Sequence, residues 1–113
     1  MANGGAKDES RNPPEVVMNP DTSRFEVAFA GEVAFAEYRL HEGYITLPHT
    51  VVPPAFEGKG VGSALAKAAL GYAREHSLMV KPVCPFIAGY IGKHPEWQDL
   101  VHPDFRGRLG LPG

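Results

Sequence analysis

From Arg24 the chain alternates with a period of two. Phe25, Val27 and Phe29 fall on one side, and Glu26, Ala28 and Ala30 on the other, the pattern of a β-strand. Gly31-Glu32 reads as a tight turn. Residues 33–40 form a second strand, with Val33 and Phe35 on one face and Ala34, Ala36, Tyr38 and Leu40 on the other. Both faces are apolar, which predicts a central strand. After a turn at His41-Glu42-Gly43, residues 44–52 read as a third strand. Pro48 interrupts it. Proline has no N–H to give the ladder, so it marks a bulge or a splay. Val16-Val17-Met18 would add a short edge strand ahead of this meander.

The period changes after Pro53-Pro54, which end the strand. Val61, Leu65, Ala68, Ala69 and Tyr72 recur at helical spacing, with Lys67, Arg74 and Glu75 off the stripe, so residues 61–75 are predicted to be an amphipathic helix. Its alanines favour helix and permit close packing on a sheet. Residues 78–84 read as a fourth strand, reached through a crossover helix and therefore parallel to the strand before the loop. Pro85 ends it. Residues 86–93 fit a short helix, and residues 96–101 one more helical turn. The order is β-β-β-α-β-α, an α+β sheet with one crossover. Ligands in such sheets sit beyond carboxyl strand ends, which brings the 53–63 loop and Cys84-Pro85 to one cleft.

Composition narrows the class. The 113 residues, 43% hydrophobic and 21% charged, suit one soluble domain. A formal net charge of −2 gives no basic excess for nucleic acid. The single cysteine, Cys84, excludes an intramolecular disulfide and a cysteine-based zinc cluster. No metal site is expected: His94-Pro95-Glu96-Trp97 offers one imidazole and one carboxylate, and reads as a helix stop with a packing Trp97. No apolar run reaches the ~20 residues of a membrane span, and the first nine residues lack a signal-peptide core. A cytoplasmic protein is expected, without membrane partners. Residues 1–20 read as a flexible tail, 21–102 as the domain, and 103–113 as an irregular C-terminal tail.

The stretch Glu57-Gly58-Lys59-Gly60-Val61-Gly62-Ser63 carries the candidate chemistry. Glycines let the backbone turn sharply, and the first amides of a helix are free donors at the positive end of its dipole. Together they make a seat for phosphate. A phosphate loop of the NTPase kind needs Lys-Ser/Thr opening the helix, and Lys59 comes too early. A dinucleotide fingerprint would need a third glycine where Leu65 stands. What remains is Gly-x-Gly-x-Gly, either a phosphate seat or a glycine-rich helix cap.

This loop, between a strand with Val-x-Pro and a helix followed by a strand, resembles the acetyl-CoA motif of the GCN5-related N-acetyltransferase (GNAT) superfamily, Gln/Arg-x-x-Gly-x-Gly/Ala. Glu57 stands at its first position, with Lys59 as the substitute cation. His49-Thr50-x-Val52-Pro53-Pro54, Val83-Cys84-Pro85-Phe86, Tyr90 and Lys93-His94-Pro95-Glu96-Trp97 look like the minimal, single-domain YjdJ-like branch. The resemblance covers residues 24–101 and implies a reduced α+β fold, an antiparallel meander followed by a β-α-β-α unit with a splayed parallel strand pair. It implies N-acetyl transfer from acetyl-CoA to an amine acceptor, by a monomer or weak dimer. The helices that wall the acceptor site in larger members are absent from the pattern, so a coenzyme A-binding module without transfer activity is the alternative.

The resemblance also distributes roles. Glu57, Gly58, Lys59, Gly60, Val61, Gly62, Ser63 and Lys93 would hold the coenzyme. Val51 and Val52 would pair with its pantetheine arm, an amide near Val51 polarising the thioester, or else serve as sheet core. Tyr90 would protonate the departing thiolate, or else pack. His49 is the titratable group best placed to take a proton from the amine, since imidazole changes charge near neutral pH; otherwise it is a surface histidine. Glu37 and Glu42 are lesser candidates. Cys84, at a strand end before a helix, would lie by the thioester, as a nucleophile or as a small buried side chain.

Overall fold

Five strands form one mixed sheet in the order β1-β2-β3-β4-β5. The computed structural model describes residues 14–112, so residues 1–13 of the expected tail lie outside the described residues. Val17–Asn19 (β1), Arg24–Phe29 (β2), Glu32–His41 (β3) and Tyr44–Val51 (β4) pair antiparallel in sequence, and Met79–Lys81 (β5) joins β4 in parallel. Helix α1, Val61–Glu75, makes the crossover; α2, Pro85–Lys93, and a single turn, α3, Pro103–Arg106, follow.

Local chemistry accounts for most element ends. The β2–β3 turn is Ala30-Gly31, one residue earlier than expected, with φ of 54° and 79°. Positive φ at both central residues matches the twist of a two-residue hairpin. β5 stops at Lys81 rather than reaching Cys84. Pro82 holds its φ at about −65°, and the Val83 N–H, next in line for β4, bonds back to the Lys81 carbonyl at 3.0 Å. Pro85 opens α2, where a missing N–H costs nothing.

The meander is central by pairing, but only one face of it is covered. Ala34, Ala36 and Tyr38 face the helices and are at most 4% exposed, whereas Val33, on the other face, is 42% exposed. Helices α1 and α2 lie on the same side, so among the described residues the second apolar face of β3 has no layer above it. On the covered side Phe25 meets Tyr38 and Tyr72 at ring distances of 5.1 and 6.0 Å. Burial and the nearby Tyr72 hold the Tyr38 phenol above its ordinary value.

Helix α1 buries more than the predicted stripe. Val61, Leu65 and Ala69 are buried as expected, and so are Ala66, Leu70 and Ala73, while Ala68 and Tyr72 are only half-buried. The reason is a second neighbour. The helix packs on the sheet and also against α2 and the 3-10 turn Pro95–Leu100. Arg74 on α1 clamps that turn, with two hydrogen bonds to the Asp99 carboxylate at 2.9 and 3.1 Å and one to the Glu96 carbonyl at 2.6 Å.

The C-terminal stretch expected to be irregular carries α3 and a 3-10 turn, Gly107–Leu109. Val101 bridges to Val80, and the His102 N–H donates to the Val80 carbonyl at 2.8 Å. The Arg106 guanidinium binds the carbonyls of Gln98 and Pro112 at 2.9 and 2.6 Å. These are tertiary ties that a short Gly/Pro-rich sequence does not advertise.

Candidate active site

The glycine loop is built in two parts. Pro54–Phe56 forms a 3-10 turn whose Phe56 is buried, fixing the loop to the core. The amides of Phe56, Glu57 and Lys59 bond back to Pro53, Pro54 and Phe56. Gly58 and Gly60 take φ of 77° and 70°, the left-handed region that a Cβ disfavours. Gly60 is the N-cap of α1, and the first amide returning to it is that of Ala64, at 3.0 Å. Among the described residues, the amides of Gly58, Gly60, Val61, Gly62 and Ser63 donate to no backbone carbonyl. Five amides without a backbone acceptor thus fall at or just before a helix N-terminus, a position that suits a phosphate group.

The third glycine does a different job. Gly62 lies inside α1, and a Cβ placed on it would stand 2.8 Å from the tip of the Phe86 ring. Its hydrogen lets α2 approach the start of α1.

A second feature opens beside the loop. Between Glu37 and Arg39, β3 advances two residues while β4 advances three, from Thr46 to His49. This is a bulge at Leu47-Pro48, where proline leaves the ladder. Its effect on backbone direction follows from alternation. The Tyr38 N–H bonds to Ser23, so Tyr38 points to β2 while Phe35, Glu37 and Arg39 point to β4. Their partners Val51, His49 and Thr46 therefore turn their N–H and C=O groups to β3. Those of Leu47 and Thr50 turn the other way, toward β5. Leu47 is met there by the Cys84 N–H at 2.9 Å. Thr50 is not, because the β4–β5 ladder has ended at Thr46–Lys81. The two parallel strands diverge beyond Leu47, and among the described residues the Thr50 peptide groups at the fork have no backbone partner. The Val51 backbone, expected to meet the pantetheine arm, is paired with Phe35 on β3.

Cys84 sits at the fork as the N-cap of α2 and is 4% exposed. Its thiol is 3.4 Å from the Thr50 hydroxyl, so one contact spans the gap. Tyr90, two turns along α2, borders an open groove of about 360 Å³ with Ser63, Phe86, Gly89, Lys93 and His94. Tyr90 and His94 rings stack at 3.9 Å and 16°. Lys93 is the cation of this groove. Lys59 instead lies over the Phe29 ring at 4.5 Å, and Glu57, the C-cap of the 3-10 turn, is exposed.

His49 is not brought to Cys84 and Tyr90. Its exposed ring points to the uncovered sheet face, 6.2 Å from the Phe35 ring and opposite Glu37 in the ladder. Val51 shares that face, and Val52, just past the strand end, is 40% exposed. Sequence reasoning passed over Thr50 and treated His94 as a helix stop. Pro48 was the available signal for Thr50, since the bulge it marks decides which backbone faces the fork. The i, i+4 spacing of Tyr90 and His94 was the signal for their pairing. Among the described residues there is no cluster of three metal-ligating side chains, and no helix is long and apolar enough to cross a membrane.

A forked parallel strand pair beside an amide-lined helix start defines the acetyltransferase class of α+β domains. A model of GCN5-related N-acetyltransferases matches residues 24–100, and the chain belongs to that family. It is similar to a GCN5-like candidate N-acetyltransferase from Staphylococcus aureus, with a TM-score of 0.64 and 26% identity over 80% of this chain and 90% of that one. Protein NATD1 of Gallus gallus is 40% identical over 58 residues, 51% of this chain and 53% of that protein. Protein NATD1 of Homo sapiens is 39% identical over 51 residues, 45% of each. The chain thus spans about half the length of the curated relatives it matches.

Proposed function

We propose that this protein transfers the acetyl group of acetyl-CoA to a primary amine. The observation that carries the reading is the shared edge of two features. The free amides of Gly58, Gly60, Val61, Gly62 and Ser63 and the free Thr50 peptide lie at or just beyond the carboxyl end of β4. A pyrophosphate on the first and a pantetheine arm along the second need just this adjacency.

Acetyl-CoA supplies an activated acyl thioester; the protein's groups do the rest. The Thr50 N–H is the donor for negative charge developing on the thioester oxygen, and burial beside Cys84 strengthens that bond. Lys93 and the first-turn amides hold the phosphates. The amine arrives from the sheet face that carries no helix, where His49 takes its proton. The C–N bond forms as the C–S bond breaks, and Tyr90 on α2 returns a proton to the departing sulfur. Cys84 lies next to the fork, so a thioester on its sulfur ahead of transfer to the amine is the competing route. A single free thiol at this position fits a reducing, cytoplasmic setting.

Incubation with acetyl-labelled coenzyme and a panel of amines and peptides should give labelled amide and free coenzyme A in equal amounts. Coenzyme A that raises the melting temperature without any transfer would instead leave a binding module, the reading favoured by the uncovered sheet face. No binding at millimolar coenzyme A removes both.

A further inference from the structure

His94 carries information that the reading above does not use. Its Nδ1 lies 2.7 Å from the Tyr90 backbone carbonyl. A carbonyl oxygen only accepts, so Nδ1 must bear the hydrogen. The ring is then held twice, by this bond and by its face-on stack with Tyr90 at 3.9 Å. With Nδ1 committed to its own helix, the opposite nitrogen, Nε2, is the ring's remaining polar atom, on a side chain that lines the groove. In the neutral ring Nε2 carries a lone pair and no hydrogen. The other polar side chains lining the groove are of a different kind. Lys93 is a donor only, and the Ser63 and Tyr90 hydroxyls both donate and accept, whereas Nε2 of this tautomer accepts and does not donate.

We infer that His94 is a coenzyme-recognition residue. Its Nε2 accepts a hydrogen bond from an N–H of the coenzyme, while the Nδ1 bond and the stack keep the Tyr90 ring against the groove. The inference rests on coenzyme A binding in this groove. The shared chemistry is an uncharged N–H donor. Coenzyme A offers it in two places, the amides of the pantetheine arm and the exocyclic amine of adenine. Lysine at position 93 with the free amides takes the anions, and His94 reads a neutral group beside them. Histidine suits this better than a carboxylate, which would repel the neighbouring phosphates.

Nitrogen-15 NMR of histidine-labelled protein at pH 8 tests the assignment without any activity. The His94 signals should show the proton on Nδ1, and coenzyme A should shift Nε2. Equilibrium binding is then compared for the native protein and His94→Phe, which keeps an aromatic stack and removes the acceptor. Loss of one hydrogen bond should weaken coenzyme A by about 3- to 10-fold. Pantetheine and adenosine 3′,5′-bisphosphate as separate probes say which N–H is read, since only one of them should lose affinity on substitution. A proton on Nε2, or a His94→Phe protein that binds coenzyme A as tightly as the native one, overturns the assignment and leaves the transferase reading standing. Native protein that binds no coenzyme A overturns the transferase reading, and the recognition role with it.

Discussion

Replacing Gly62 by alanine sets two opposed effects on one atom. The helix gains from the change, because alanine is better than glycine in a helix interior by up to about 1 kcal/mol, and less at this position in the first turn. Against that, the new Cβ would sit 2.8 Å from the Phe86 ring tip. Overpacking of this kind costs about 1–3 kcal/mol. The low end applies, since Phe86 is 45% exposed and its ring can swing outward. The two nearly cancel, and Gly62→Ala should be destabilised by no more than about 1 kcal/mol. In a Phe86→Ala background the clash is gone and only the helix term survives, so the same substitution should stabilise. The assay is a four-member cycle of urea melts on native, Gly62→Ala, Phe86→Ala and the double variant. A change of sign between backgrounds is the expected result. Equal effects in both backgrounds, or a loss near 3 kcal/mol in both, would show that the glycine serves something other than the approach of α2. Coenzyme A binding by Gly62→Ala should also weaken, because the displaced ring is a wall of the groove.

Three further outcomes follow from the same geometry. Gly60→Ala should lose about 1–2 kcal/mol by chemical melt, because an alanine at φ of 70° is strained; unchanged stability would mean that the loop has another conformation. Cys84→Ser should leave turnover intact if the amine attacks the thioester directly and abolish it if the acetyl group passes through sulfur, with intact-mass spectrometry under acetyl-CoA detecting the acylated native protein. The Arg74 hydrogen bonds hold the Asp99 carboxyl below its ordinary value of 3.8. A lowered carboxyl value stabilises the fold above the unfolded value and loses that contribution as pH falls through the folded one. Acid unfolding below about pH 4 should therefore flatten in Asp99→Asn, and identical acid profiles would remove the clamp from the account.

The outline of the molecule was legible because its signals are local. Strand alternation from Arg24 to Val51, the alanine-rich helix and the glycines before it each act within a few residues. One strand boundary slipped where proline bends its own segment. Pro82 ends β5 by turning the next N–H due to β4, that of Val83, back to the Lys81 carbonyl, and the segment's apolar character concealed this. The burial stripe of α1 was read as single because its sequence does not announce its second neighbours, α2 and the turn that Arg74 clamps through Asp99.

For the site, the sequence by itself determined the glycine turn at the start of α1 and the cysteine at the head of α2, since both depend on chain neighbours. Tertiary structure alone decided which backbone is free at the fork. A one-residue bulge exchanges the groups that face β3 with those that face β5, so Thr50 and not Val51 presents its peptide there. It also decided which histidine belongs to the groove. The His49 and Thr50 side chains are neighbours on one strand but stand on different faces, because successive side chains alternate. His94 comes to Tyr90 because one helical turn brings residues four apart onto one side.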